Sequence, residues 1–272
     1  MTVDASQRLR IMFLGDIVGK PGMAAVTKHV PLLRESLRLD GVIVNAENAA
    51  DGSGLTLRQF KKLMDHQVDC VTMGDHIYRR DELNSLLQRD TRIVKPANYP
   101  PSAPGKTWAT FVAASGHPVA VFSLLGRVYM RPVDCPFEAA ERVLGEIPSE
   151  IAVRICDIHA EATSDKQLIA RFLDGRVSAV LGTHTHVPTA DARLLPGGTA
   201  YQTDVGMTGP YESIIGRDIE RVLHTTRSFA PVHFHVATDD VRICGVIIEI
   251  DADSGRAVSI ERFEHRVASG TE

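Results

Sequence analysis

Short apolar runs recur along this chain, and each stops on residues that can hold a metal or move a proton. Leu9-Arg10-Ile11-Met12-Phe13-Leu14 stops at Gly15-Asp16, and Gly41-Val42-Ile43-Val44 stops at Asn45-Ala46-Glu47-Asn48. Cys70-Val71-Thr72-Met73 stops at Gly74-Asp75-His76, and the run from Ile151 to Cys156 stops at Asp157-Ile158-His159. The run Val177-Ser178-Ala179-Val180-Leu181 stops at Gly182-Thr183-His184-Thr185-His186. Their shortness and their β-branched content predict buried strands. In an α/β protein the carboxyl ends of such strands form the edge where ligands bind.

Between the runs the apolar period changes to that of a helix. Pro21 can open one, with Val26, Val30, Leu33 and Leu37 following at helical spacing, although Pro31 falls inside that stretch. Thr56 and Gln59 form a capping box for a helix from Leu57 to about His66. Glu138 to Leu144 and Lys166 to Leu173 read as further helices. The end of the chain is read as strand: Pro231 to Ala237, Val241 to Asp251 and Ala257 to Phe263, with a turn at Asp239-Asp240. Lys95 to Gly105 and Gly206 to Tyr211 are expected to be loops. The whole predicts an α/β protein built as two face-to-face sheets with helices outside, a four-layer α/β/β/α sandwich.

Composition adds bounds. At 272 residues the chain suits a single domain spanning 1–272. Apolar content of 44%, charged content of 24% and aromatic content of 6% allow a sizeable core. A net charge of −4 predicts no broad attraction to nucleic acid and no DNA-binding surface, so a nucleotide or RNA-derived substrate would be drawn locally, for example by metal ions. Met1 to Arg8 contain no apolar leader segment, and no run is long enough to span a bilayer, so no membrane partner is expected. Cys70, Cys135, Cys156 and Cys244 are far apart and are read as reduced, mostly buried thiols of a cytoplasmic protein. A homo-oligomer stays open.

Asp16, Glu47, Asn48, Asp75, His159, His184 and His186 are more candidate ligands than the roughly four to six that one metal needs. Carboxylates mixed with imidazoles suit Mn, Fe or Zn rather than Ca or Mg alone. Two ions roughly 3.5–4 Å apart can hold a hydroxide for attack on phosphorus and clamp both non-bridging oxygens of a phosphoryl group. His76, beside Asp75, is more useful unbound, as the general acid that protonates a departing alkoxide. Hydrolysis of a phosphoester is the reaction class that best uses this set.

Five strings carry a resemblance. Gly15-Asp16-Ile17-Val18-Gly19-Lys20-Pro21-Gly22, Asn45-Ala46-Glu47-Asn48-Ala49-Ala50-Asp51-Gly52, the stretch Asp157 to Lys166, Gly182-Thr183-His184-Thr185-His186-Val187 and Asp204-Val205-Gly206-Met207-Thr208-Gly209-Pro210 closely resemble the YmdB family of bacterial metallophosphoesterases. The likeness runs from about Arg10 to Ile260. It implies a calcineurin-like sandwich, a dinuclear centre of divalent or mixed-valence ions, and phosphodiester hydrolysis, notably of 2′,3′-cyclic nucleotides. It further implies that Asp16, Glu47, the Asp75 position, His159, His184 and His186 are ligands, with Glu47 bridging, Asn48 beside the metals and His76 the general acid. One position departs: the family pattern reads Gly-Asn-His where this chain has Gly74-Asp75-His76. Two other readings keep the same centre, a phosphomonoesterase or phosphoprotein phosphatase, and a regulatory scaffold in which hydrolysis is incidental.

Other residues have plainer expectations. Gly19-Lys20 lacks P-loop spacing, and Lys20 either touches substrate phosphate or is solvated. His233 and His235 are expected on the polar face of a mid-sheet strand. Asp157, Glu161, Asp191 and Asp204 either accept imidazole N–H groups or cap turns. Tyr129, Met130, Arg131 and Tyr211 either pack loops or meet substrate, and the loops around Tyr99 and Tyr211 could shape a nucleobase pocket.

Overall fold

A computed structural model describes residues 8–268. The polar stretch read at Met1–Arg8 lies outside them, Arg8 excepted. The chain lays down most of one sheet, then a second, and returns to finish the first. β1 (Arg8–Leu14), β2 (Asp16–Ile17), β3 (Gly41–Asn45), β4 (Cys70–Thr72) and β5 (Ile93–Val94) begin the first sheet. β6 (Trp108–Val112), β7 (Pro118–Leu125), β8 (Val153–His159), β9 (Ala179–Thr183), β10 (Arg193–Leu194) and β11 (Ala200–Gln202) make the second. β12 (Met207–Pro210), β13 (Val241–Asp251) and β14 (Ala257–Arg266) complete the first, in the order β2-β12-β13-β1-β3-β4-β5 with β14 also paired to β13. Six helices lie among the described residues: α1 (Gly19–Ser36), α2 (Leu57–Asp65), α3 (Leu83–Leu87), α4 (Pro136–Glu146), α5 (Thr163–Leu173) and α6 (Ile219–Ser228).

The period-two alternation of strands sorts their side chains into three cores. Leu9, Ile11 and Phe13 of β1 face the second sheet and meet Val121, Ile155 and Leu181 in the middle core. Met12 and Leu14 face the other way, onto Val26, Val30, Phe60 and Leu63 of α1 and α2. On the far side, Phe122, Cys156 and Ile158 pack under Ala139, Val143, Ile169 and Leu173 of α4 and α5. Helix, sheet, sheet, helix is therefore the observed layering, as the patterning predicted.

β1, β3, β4 and β5 are parallel, and so are β7, β8, β9 and β11, so each set delivers its carboxyl ends together. Register fixes what arrives where: Asn45 lies opposite Thr72, and His159 opposite Thr183. Glycines permit the close approach of the connecting chain; a Cβ on Gly15 would strike the Gly206 carbonyl, and one on Gly182 the Thr203 carbonyl.

Several local expectations need correcting. α1 starts at Gly19 and runs unbroken through Pro31, because the buried face of Met23, Val26 and Val30 offsets one missing ladder bond. The Thr56–Gln59 capping box is present, with Thr56 Oγ1 accepting from Gln59 N at 3.2 Å and Gln59 Oε1 accepting from Thr56 N at 3.0 Å. Met207–Pro210, expected as loop, is strand β12, which pairs with both Asp16-Ile17 and the start of β13. Pro231–Ala237 is not a strand: Val236 makes one isolated bridge to Arg217 and the rest is irregular. His233 and His235 are accordingly exposed on a surface segment rather than on a sheet. No described helix is long and apolar enough to cross a membrane.

Candidate metal centre

The strand ends meet between the two sheets. Asp16, Glu47, Asn48 and His159 are buried, and Asp75, His76, His184 and His186 reach the same place from partly exposed loops. Ligand atoms of Glu47, Asp75, His159 and His184 all lie within 4.8 Å of one another. His159 Nε2 is 3.2 Å from Glu47 Oε1 and 3.3 Å from Asp75 Oδ1, and His184 Nδ1 is 3.0 Å from His159 Nε2. Beside this cluster stand Asp16, Asn48 and His186. His186 Nε2 is 3.8 Å from Asp16 Oδ1 and 3.1 Å from Asn48 Nδ2, and Asn48 Nδ2 also donates to Glu47 Oε1 at 3.2 Å. Every residue expected at the centre is thus brought to it.

Each imidazole is held by one ring nitrogen. His159 Nδ1 donates to Thr183 Oγ1 at 2.8 Å, and that hydroxyl donates to Asp157 Oδ1 at 2.7 Å. His186 Nδ1 donates to the Ile215 carbonyl at 2.9 Å, and His184 Nε2 lies 3.2 Å from Glu161 Oε2. The other nitrogen of each ring is left facing the carboxylates, as a metal ligand requires. Of the four acids left open between two roles, Glu161 meets an imidazole. Asp157 acts through hydroxyls and an amide, taking Thr72 Oγ1 at 2.6 Å and Asn45 Nδ2 at 3.0 Å besides Thr183. Asp204 holds the His184–His186 turn by accepting from Thr185 N and Oγ1, and Asp191 braces Thr189 and Thr203.

The electrostatics describe a site short of positive charge. Asp16 is pushed up to about 6, first by burial, against the pull of His186 and His159. Burial pushes Glu47 up too, but the neighbouring His159 outweighs it and the carboxyl falls below its usual range. Asp75 follows the same balance, burial opposed by hydrogen bonding and attraction to His159, and ends well below that range. His159 is disfavoured as a cation by burial, yet Glu47 and Asp75 hold it well above its usual value. His184 is pushed down to about 4, by burial and then by His159. Among the described residues no Lys or Arg ion-pairs with Asp16, Glu47 or Asp75; their partners are imidazoles. Buried carboxylates without such a partner are stable when they coordinate a metal, and the donor set fits one.

His76 sits at the rim. Its Nδ1 donates to Asn48 Oδ1 at 2.7 Å, its main-chain N–H donates to Glu47 Oε2 at 3.2 Å, and its Nε2 is 3.8 Å from Asp75 Oδ2. Gly74, two residues earlier, is obligatory, since a Cβ there would land on Glu47 Oε2 and the His159 ring.

A cavity of about 320 Å³ opens over the centre, lined by Glu47, His76, Glu161, His184, His186 and Arg217 among others. An adjoining cavity of about 300 Å³ shares His186 and Ile215 and is lined by Val187, Pro188, Met207, Tyr211 and Ile214. Tyr211 thus lines a pocket, whereas Tyr99 is buried against Tyr78. Arg217 was invisible to sequence reasoning. It lies in an irregular segment, and only the fold sets its guanidinium against the Asp51 and Gly52 carbonyls, at 2.9 and 2.6 Å.

A two-sheet sandwich with carboxylates and imidazoles gathered where strands from both sheets end is the architecture of a calcineurin-like, metal-dependent phosphoesterase, a hydrolase of phosphoric ester bonds. More narrowly, the chain belongs to the YmdB-like protein family, whose model matches residues 12–263. It is 44% identical over 255 residues to the 2′,3′-cyclic-nucleotide 2′-phosphodiesterase of Bacillus subtilis (strain 168), covering 94% of this chain and 96% of that one. It superposes on the crystal structure of a hypothetical protein from Thermus thermophilus with a TM-score of 0.88 at 42% identity, covering 95% and 99% of the two chains. A crystal structure described as a novel phosphatase from Mycoplasma pneumoniae gives a TM-score of 0.88 at 31% identity, covering 95% and 94%.

Proposed function

We propose that this protein is a dinuclear metal-dependent phosphodiesterase that hydrolyses 2′,3′-cyclic nucleotides. The observation that carries the proposal is the set of three imidazoles, each with one nitrogen beside an acceptor and the other turned toward the carboxylates of Asp16, Glu47 and Asp75. Glu47, Asp75, His159 and His184 would hold one ion. Asp16 and His186 would hold a second that shares Glu47, with Asn48 beside it, its amide N–H groups turned to Asp16 and Glu47. Iron or manganese suits the mixed oxygen and nitrogen set best, and zinc also fits. When bound, such ions supply Lewis acidity to phosphoryl oxygens and an activated water.

The chain's own residues do the rest. Asn48 and the Glu47 carboxylate fix His76 from two sides, so that Nε2 is free to carry a proton to the departing ribose oxygen. The apolar cavity beside His186 suits a nucleobase, which supports a nucleotide over a phosphoprotein. The name carried by the Bacillus relative supports the cyclic phosphate as the reacting group. The free cysteines, three of them buried, fit a reducing cytoplasm.

The test is hydrolysis of 2′,3′-cyclic AMP by protein stripped of metal and reloaded with Mn²⁺. His76→Ala should lower kcat by about 10²–10⁴-fold with metal content retained, and His184→Ala should lose both metal and activity. Two bound ions with no turnover of this ester would overturn the reading and favour another phosphoester substrate or a regulatory metal site.

A further inference from the structure

The cavity over the metal cluster is not the largest near it. A second, of about 770 Å³, adjoins it and shares Arg217. Its walls bring together Lys20 from the first turn of α1, Arg80 from the loop after His76, and Arg217. Both guanidiniums are held by main-chain carbonyls of one turn. Arg80 donates to Ala50 O at 2.8 Å and Ser53 O at 3.2 Å, and Arg217 to Asp51 O at 2.9 Å and Gly52 O at 2.6 Å. That turn directly follows the Glu47-Asn48 pair, so the cationic wall and the metal cluster are two sides of one short segment. Gly52 makes the fit possible: its φ is +82°, and a Cβ there would meet the Arg217 guanidinium.

Among the described residues Arg80 and Arg217 are held without a carboxylate at contact distance, Asp51 acting on Arg217 only through longer-range attraction. Among the described residues neither forms a salt bridge, and Nη1 of Arg80 and Nε of Arg217 have no protein acceptor. Asp51 also lines the cavity, but it is the Asp51 main-chain carbonyl, not its carboxylate, that takes Arg217. Orienting cationic groups against neutral carbonyls keeps their charge available to an outside anion. In a 2′,3′-cyclic nucleotide the reacting phosphate occupies one side of the ribose, so any further phosphate must lie on the 5′ side.

We infer that the cavity walled by Lys20, Arg80 and Arg217 is a subsite for a second phosphate, and that the preferred substrates carry one on the 5′ side of the cyclic phosphate. This rests on the phosphodiesterase reading of the metal site. That phosphate is either the 5′-phosphate of a mononucleotide or the internucleotide phosphate of an oligoribonucleotide end.

The test compares kcat/KM for 2′,3′-cyclic AMP, for the same nucleotide bearing a 5′-phosphate, and for the dinucleotide ApA ending in a 2′,3′-cyclic phosphate. One or two charge-assisted contacts predict a preference of about tenfold or more for a substrate with the second phosphate. Lys20→Ala and Arg80→Gln should each reduce that ratio severalfold, and raised salt should reduce it further. A gain from both second-phosphate substrates assigns the subsite to chain ends, and a gain from the 5′-phosphate alone assigns it to mononucleotides. Equal kcat/KM for all three, or a ratio unmoved in both variants, overturns the subsite and leaves the phosphodiesterase standing. Equilibrium binding of adenosine 3′,5′-bisphosphate against adenosine 3′-phosphate reads the same preference without turnover. If no ester is hydrolysed the phosphodiesterase fails, and the binding ratio alone upholds or overturns the subsite.

Discussion

At the scale of single residues, the centre is under strain and under-neutralised. His184 and His186 have φ of 98° and 65°, in the left-handed region that non-glycine residues avoid. Asp204 and the Ile215 carbonyl hold the turn in that form. Charge sets two expectations. Asp75 is an anion where the family pattern has a neutral Asn, so Asp75→Asn should weaken metal binding by about tenfold while the fold survives; competition with a chromogenic chelator measures this, and equal or tighter binding in the variant would sink it. Proton competition sets the other. Asp16 is raised to about 6 and His159 is raised well above its ordinary value, so both carry protons in the metal-free protein at mildly acidic pH. Ligation must displace those protons, so affinity should fall as pH drops through about 6, with protons released on binding. Calorimetry in buffers of different ionisation enthalpy would show the release, and pH-independent affinity between about 5 and 7 would contradict it.

At the scale of elements, the strand ends were the legible part. β1, β3, β4, β8 and β9 are buried on both faces, so they appear as continuous apolar runs with abrupt polar stops. The ligands fall at those stops or, for His159, on the last residue of the strand. The β6–β7 hairpin and α6 lie outside the sequence-based expectation, and Pro231–Ala237 departs from its strand-like pattern for a physical reason. Its alternating Val232, Phe234 and Val236 mimic a strand, but no neighbouring strand is there to pair with them. Arg80 and Arg217 left no local trace at all, because long-range packing alone brings them together. α5 carries one buried charge: Lys166 Nζ reaches Asp204 Oδ2 at 2.7 Å, both side chains being essentially inaccessible. Lys166→Met should leave Asp204 buried and unpaired, at a cost of about 3–5 kcal/mol. It should also loosen the His184–His186 turn that Asp204 supports. Urea unfolding and metal affinity, measured on the same variant, test the two effects together.

At the scale of the molecule, the candidate ligands are divided between the sheets. Asp16, Glu47, Asn48 and Asp75 follow strands of the first, while His159, His184 and His186 end or follow strands of the second. A bound ion would therefore cross-link the two halves of the sandwich. Chelation should lower the unfolding temperature, by about 4 kcal/mol of stability if the ion was present at about 1,000 times its Kd, and the loss should vanish when His184→Ala has already removed the site. A second feature at this scale is the place of β13, which inserts antiparallel beside β1 with Leu14 opposite Gly245 and Arg8 opposite Asp251. β1 thus waits for a strand made long after it. Until Val241–Asp251 emerge, one whole edge of β1 has nothing to bond, although all seven ligand-type residues have already been synthesised. Assembly of the centre is in this way gated by the synthesis of β13, and a chain that stalls before Val241 would offer chaperones and proteases an open, apolar sheet edge.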